Sequence, residues 1–185
     1  MGLELVVPGA QHLESYAHAL EQGWSPDNLL PQAALDELAR IKDNPEKFIE
    51  EQVDRDASGS PVTLPDGSIV RRLPGYKRWM WDGEFCGAIG FRWQRGTEAL
   101  PPHCLGHIGY AVVPWKRRRG YATLALRETL ADAKVEGLRY VEITTTPDNI
   151  ASQRVIEANG GVLVEEFIKP PAFGSVRALR YRVML

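Results

Sequence analysis

The chain has only two cysteines in 185 residues, Cys86 and Cys104, so no framework of disulfide bridges can hold it together. It must fold on a core of its own, and a reducing cytoplasm is the expected setting. Long apolar runs are also missing: none approaches the ~20 residues that cross a bilayer, so no membrane partner is expected. The opening stretch MGLELVVPGAQHLESY turns polar after Val7 and has no basic start ahead of a long apolar run. No secretory leader is therefore expected. Excess charge is absent as well, with 22 Lys and Arg against 24 Asp and Glu. That excludes a global basic field drawing nucleic acid, and any anion site must be local. Repeats and low-complexity tracts are lacking too. What remains is the composition of an ordinary globular chain, expected as one domain over residues 1–185.

Hydrophobic spacing and turn residues then predict the elements in order. A short strand over 3–7 is broken by Pro8 and Gly9. A helix is expected over 12–22, with Leu13, Ala17 and Leu20 on one face. A second helical stretch covers 32–53, interrupted at Asn44-Pro45 because proline disfavours helix in the residue before it. Residues 55–75 are rich in Asp, Ser, Gly and Pro, with Pro65-Asp66-Gly67 as a turn at the tip of a small hairpin. Strands over 76–81 and 84–93 are joined by a tight Asp82-Gly83 turn. Trp79, Trp81 and Trp93 alternate on this hairpin and are expected in the core or on a dimer face, or else lining an acceptor site. A homodimer is thus left open.

The second half continues with a strand over 106–113 and a helix over 120–136, with Ala122, Leu126, Leu130 and Ala133 on one face. A strand over 140–146 and a helix over 150–159, capped by Asp148 or Asn149, come next. Strands over 162–168 and 176–184 close the chain. The fold class is α/β in the α+β sense: a mixed, mostly antiparallel sheet of about seven strands flanked by helices. One parallel β-α-β unit is expected at 106–146.

The sharpest local feature is the junction after the strand ending at Val113. Pro114 leads to Arg117, Arg118, Arg119 and Gly120, and then to an amphipathic helix beginning Tyr121-Ala122-Thr123. A helix start leaves about four backbone N–H groups without intrahelical partners, and its dipole favours an anion there. Gly120 allows close approach of backbone and ligand, Ala122 is small, and the arginines can add charge-assisted bonds. A solvated basic loop, or surface charge that touches nucleic acid, is the alternative. No Walker loop and no three-glycine dinucleotide fingerprint is present.

Val112-Val113-Pro114 followed by Arg117-x-x-Gly120-x-Ala122 resembles motif A of the GNAT superfamily of N-acetyltransferases. Asn149-Ile150-Ala151-Ser152, with Arg154 to Gly161 behind it, resembles motif B, an Asn-x-x-Ser/Ala followed by a helix ending in Asn-Gly. The tail of motif B looks most like the branch that acetylates protein N-terminal amines. The two motifs cover about residues 106–161 in the family's order. The resemblance implies acetyl-CoA as co-substrate, no metal, and an amine acceptor, small molecule or peptide. It implies that the strands at 106–113 and 140–146 splay apart, with pantetheine between them pairing to Val112 and Val113. The amides from Arg118 to Thr123 would hold the pyrophosphate, with Asn149 and Ser152 near the pantetheine. The segment around 24–75 would be an acceptor-side insertion.

Transfer by direct attack of the amine needs an oxyanion donor, a proton acceptor and an acid for the leaving thiolate. The donor is expected at the backbone of Val112 or Val113. Candidate bases are His107 and Tyr110, on opposite sides of one strand, and Glu84 and Glu142 on neighbouring strands. One departure stands out: where the family often carries an acidic tyrosine, seven residues after the motif-B asparagine, this chain has Ile156. Ser152, Tyr110, Tyr121 or water would have to serve instead. A non-catalytic acyl-CoA-binding or sensing domain is the alternative function. His103-Cys104-x-x-His107 has no fourth metal ligand at a familiar spacing, so no metal site is expected.

Overall fold

The computed structural model describes residues 2–27, 32–64 and 66–185. The first half holds β1 (Glu4–Val6), α1 (Ala10–Glu21), α2 (Ala33–Asp43), α3 (Pro45–Glu50), β2 (Val53–Asp54), β3 (Val62–Thr63) and β4 (Ile69–Val70). Then come β5 (Gly75–Trp81), β6 (Phe85–Arg92) and β7 (Ile108–Val112). After a 3-10 turn, Pro114–Lys116, follow α4 (Tyr121–Val135), β8 (Tyr140–Thr145), α5 (Ile150–Glu157), β9 (Val162–Ile168) and β10 (Arg177–Met184). The expected order of strands and helices is borne out, with β2 as an addition.

Local chemistry accounts for most boundaries. Asn44 ends α2 and caps α3, its side chain accepting from the Lys47 N–H, with Pro45 at the first helical position. The helix expected to reach 53 stops at Glu50, because Val53–Asp54 pairs with Tyr76 and Gly75. Sheet pairing overrides helical periodicity there. The Asp82-Gly83 connection is wider than a two-residue turn. Trp81 pairs with Phe85 across a register shift, leaving Asp82, Gly83 and Glu84 as the tip. Around 65 the hairpin is present as β3 and β4, with the Leu64 N–H donating to Ser68. Pro65 itself lies outside the described residues.

All strand ladders are antiparallel and fall into two main sheets. One runs β1-β5-β6-β7, with β2 sharing the β1 edge of β5, and the other runs β8-β10-β9. The β-α-β unit exists as β7, α4 and β8, but its two strands form no ladder and belong to different sheets. The expected splay is therefore present, and the expected parallel pairing is not.

Alternation along β5 sends Trp79 and Met80 into different cores. On one face α1, α2 and α3 enclose Tyr16, Trp24, Phe48, Trp79 and Phe85. Tyr16 stacks on Trp79 at 4.3 Å between ring centroids. On the other face Met80, Ile89, Phe91 and Trp93 meet Leu126 of α4, Ile156 of α5 and Ile143 of β8. Each such side chain contributes ~1.5–3 kcal/mol by burial. Trp79 and Trp93 are thus core residues as expected, while Trp81 is half-buried.

Candidate active site

The junction between β7 and α4 is held open by backbone geometry. Arg118 has φ +63° and Gly120 has φ +77°, so two left-handed residues frame Arg119. Left-handed backbone is what only glycine adopts freely, and Gly120 supplies it directly before the helix. A Cβ built on Gly120 would meet no protein atom within 4 Å and would point into open space. The consequence is a run of amides. Leu124 is the first α4 residue whose N–H is bonded, to the Gly120 carbonyl. Among the described residues, the six N–H groups from Arg118 to Thr123 donate to no protein acceptor. Successive free amides around left-handed residues form an anion cradle, reinforced by the helix dipole.

The arginines contribute less than their number implies. Arg117 folds back, its Nε donating to the Val112 carbonyl at 3.3 Å. Arg119 lies 3.9 Å from Asp82. A fourth basic residue, Lys116, is buried among acids: its Nζ is 3.0 Å from both Asp82 oxygens and 2.6 Å from Glu84. Tyr121 adds a hydrogen bond from its hydroxyl to Asp82 at 2.7 Å. Burial pushes the Asp82 carboxyl up, but hydrogen bonds from Tyr121, Lys116 and Cys86 outweigh it and hold the pKa at about 2. Sequence reasoning missed Asp82 and Lys116, because one looked like a turn former and the other like surface charge.

β7 is the edge of its sheet. The Val113 N–H donates to the Cys86 carbonyl at 2.9 Å, so it faces β6 and is occupied. Period-two alternation turns the backbone groups of Tyr110 and Val112 toward the open edge. The Val113 N–H is therefore engaged, while that of Val112 is turned to the open edge.

At the other end of β7 the two sheets are clasped. The His107 carbonyl accepts from Arg92 of β6, while its N–H donates to the Glu142 carbonyl of β8 at 2.7 Å. Its Nδ1 accepts the Glu142 N–H at 2.9 Å. One residue thus spans the vertex of the splay. Gly106 permits the approach, since a Cβ there would sit 3.1 Å from the Glu142 carbonyl oxygen.

This geometry does not suit His107 to act as a base. Its side chain is fully buried, its Nδ1 lone pair is occupied, and the ring proton must sit on Nε2, which makes no hydrogen bond of normal geometry among the described residues. Burial pushes its pKa down to about 4, against the upward pull of the Glu142 carboxylate. Glu142 is no freer: Arg180 and Arg182 reach its two oxygens at 3.0 and 2.7 Å. Glu84 is exposed and bound to Lys116. His107 and Glu142 therefore present no free basic lone pair, and Glu84 keeps one oxygen on Lys116 and the other open to solvent.

Two other candidates come together. The Tyr110 hydroxyl lies 2.9 Å from the Ser152 hydroxyl, across from β7 to α5. Burial pushes the Tyr110 phenol up to about 12, although the Ser152 bond lowers it, so it stays protonated. Asn149 caps α5, its side chain accepting from the Ser152 N–H at 3.1 Å. Ile156 is fully buried in the core. Among the described residues no three His, Cys, Asp or Glu side chains are placed to hold a metal ion.

The model of the GNAT acetyltransferase domain matches residues 31–162. The chain belongs to this family. It is an N-acetyltransferase that uses acetyl-CoA. No curated protein matches it in sequence. Among solved structures, this acetyltransferase is similar to the microcin C7 self-immunity acetyltransferase MccE, in complex with acetyl-CoA and AMP. The TM-score is 0.65 at 13% identity, over 99% of this chain and 92% of that one. It is also similar to RimL, the ribosomal L7/L12 alpha-N-protein acetyltransferase, in complex with CoA: TM-score 0.64 at 15% identity, over 99% and 94%. A third is the acetyltransferase of Salmonella typhimurium that modifies the N-terminal serine of L7/L12. It gives TM-score 0.59 at 14% identity, over 99% and 95%. At these identities the likeness shows the fold. No helix among the described residues is long and apolar enough to cross a membrane.

The chain's own residues fit the co-substrate. Six unpaired amides and a glycine with open space above it match a pyrophosphate, and the unpaired edge of β7 matches the amide-bearing pantetheine arm.

Proposed function

We propose that this acetyltransferase acetylates a primary amine, of a peptide N-terminus or a small molecule, by direct attack in a ternary complex. The amides of Arg118 to Thr123 hold the pyrophosphate, with Arg118, which makes no ion pair among the described residues, available to add charge. The open edge of β7, at Tyr110 and Val112, aligns the pantetheine arm. The single observation carrying this assignment is the run of six free amides at the strand-to-helix junction.

Three further groups take the remaining roles in this proposal. The Val112 N–H receives the oxyanion as the amine nitrogen bonds to the thioester carbon. Tyr110 protonates the sulfur as the carbon–sulfur bond breaks, and Ser152 orients the phenol. Tyr110 thereby replaces the tyrosine that Ile156 displaces. No side chain takes the amine proton, which passes to water, so positioning carries much of the rate. The likeness to structures whose names give L7/L12 as substrate favours a peptide N-terminus. The segment 24–75, with α2, α3 and the β3–β4 hairpin, covers the acceptor side. Two free, buried cysteines fit a cytoplasmic setting.

The test is release of CoA thiol from acetyl-CoA across a panel of peptides with free N-termini and small primary amines. Turnover with at least one amine is expected. Binding of acetyl-CoA without thiol release across the panel would replace this function with a non-catalytic acyl-CoA-binding or sensing domain.

A further inference from the structure

The seven residues from Pro114 to Gly120 make few bonds among themselves beyond the 3-10 turn. What fixes them comes from elsewhere in the chain. Val113 bonds the Cys86 carbonyl, and Lys116 bonds Asp82 and Glu84. Arg119 lies near Asp82, and Tyr121 bonds it. Four anchors, from Val113 just before the junction to Tyr121 at the start of α4, therefore converge on the tip Asp82–Glu84 and the start of β6 behind it. Asp82 receives three of them.

The charges at this tip also balance. A lone carboxylate beside the amides would repel a phosphate. Lys116, buried between Asp82 and Glu84, and Arg119 together offset the two carboxylates, so Asp82 can orient the junction without opposing an anion. The lysine is held in its ammonium form: burial pulls its pKa down, but Glu84 and Asp82 more than restore it.

We propose that Asp82 is a positioning residue for the co-substrate, acting through Lys116 and Tyr121 to set the spacing of the 118–123 amides. This rests on those amides holding the pyrophosphate. Asp82 then controls affinity for acetyl-CoA without touching it, by pre-organising the donors.

Three variants test this, each measured for acetyl-CoA Kd by calorimetry and for melting temperature without ligand. Tyr121→Phe removes one hydroxyl and leaves the fold otherwise intact. It is expected to weaken acetyl-CoA binding about fivefold, and Asp82→Asn about tenfold, through lost pre-organisation. Melting of Tyr121→Phe should fall by no more than a few degrees, as loss of one hydrogen bond implies. The phosphorus-31 shift that bound CoA shows at its pyrophosphate should shrink in both variants. Gly120→Asp is the control for the underlying site. If it leaves acetyl-CoA affinity unchanged, the amide site is wrong and this inference falls with it. If Gly120→Asp weakens binding while Tyr121→Phe retains wild-type affinity and an unaltered phosphorus shift, the positioning role alone is overturned. The same holds if Tyr121→Phe loses melting temperature and affinity together with no change in the phosphorus shift.

Discussion

The His107 clasp makes a quantitative prediction about pH. In the unfolded chain a histidine titrates near 6.5, whereas burial holds this one at about 4. The folded state therefore prefers the neutral ring, and the unfolded state binds the proton first as pH falls. The stability is fully present above pH 6.5 and is lost as pH drops toward 4. The loss relative to pH 7.5 amounts to about 2 kcal/mol at pH 5 and about 3 kcal/mol at pH 4. Against a typical total of ~5–15 kcal/mol that is a large share. The substitution that isolates it is His107→Asn, whose side-chain oxygen can accept the Glu142 N–H in place of Nδ1 but does not titrate. Urea unfolding of both proteins at pH 7.5, 5 and 4 gives the difference directly, since carboxylates elsewhere titrate equally in each. The wild type should lose the stated amounts in excess of the variant. Parallel curves would refute the clasp as a titrating element. Kinetics supply a second check: His107→Asn should keep kcat within a few-fold, and a collapse of kcat with loss of a kinetic pKa near 6.5 would restore histidine as the base.

Other outcomes follow from the same geometry. Tyr110→Phe should lower kcat about a hundredfold while leaving the acetyl-CoA KM unchanged, and the wild-type kcat should show no alkaline limb near 10, because burial raises this phenol to about 12. A KM rise with unchanged kcat would make Tyr110 a binding residue instead. Gly120→Asp should raise the acetyl-CoA Kd at least about tenfold, by strain at φ +77° and by negative charge over the amides. Glu142→Ala should cost about 1–3 kcal/mol in urea unfolding, because Arg180 and Arg182 lose their shared acceptor. Stability equal to wild type would remove that pairing from the account.

Much of the fold could be read from local signals. The strand at Val162–Ile168 and the helices opening at Tyr121 and Ile150 stand where periodicity and caps place them. The strand-to-helix junction proposed to hold the co-substrate was legible for a particular reason: its geometry lies in the backbone, which Gly120 and the strand-to-helix switch announce. Side-chain roles were not legible, because they depend on partners far along the chain. Asp82 and Lys116 are 34 residues apart, and His107 and Glu142 are 35 apart. His107 looks like a base until its neighbours are known. Arg117 to Arg119 look like three phosphate ligands until two are seen folded onto Val112 and Asp82. β2 escaped notice because two residues carry no periodicity, and only their pairing with β5 makes them a strand.

Main-chain donors of residues 118–123 are proposed to grip acetyl-CoA. Proton–nitrogen spectra of the labelled protein, recorded as acetyl-CoA is added, test this most directly. The largest downfield amide-proton shifts are expected at Arg118 to Thr123, with smaller shifts at Tyr110 and Val112. Saturable binding that leaves the 118–123 amides unmoved would contradict the proposal.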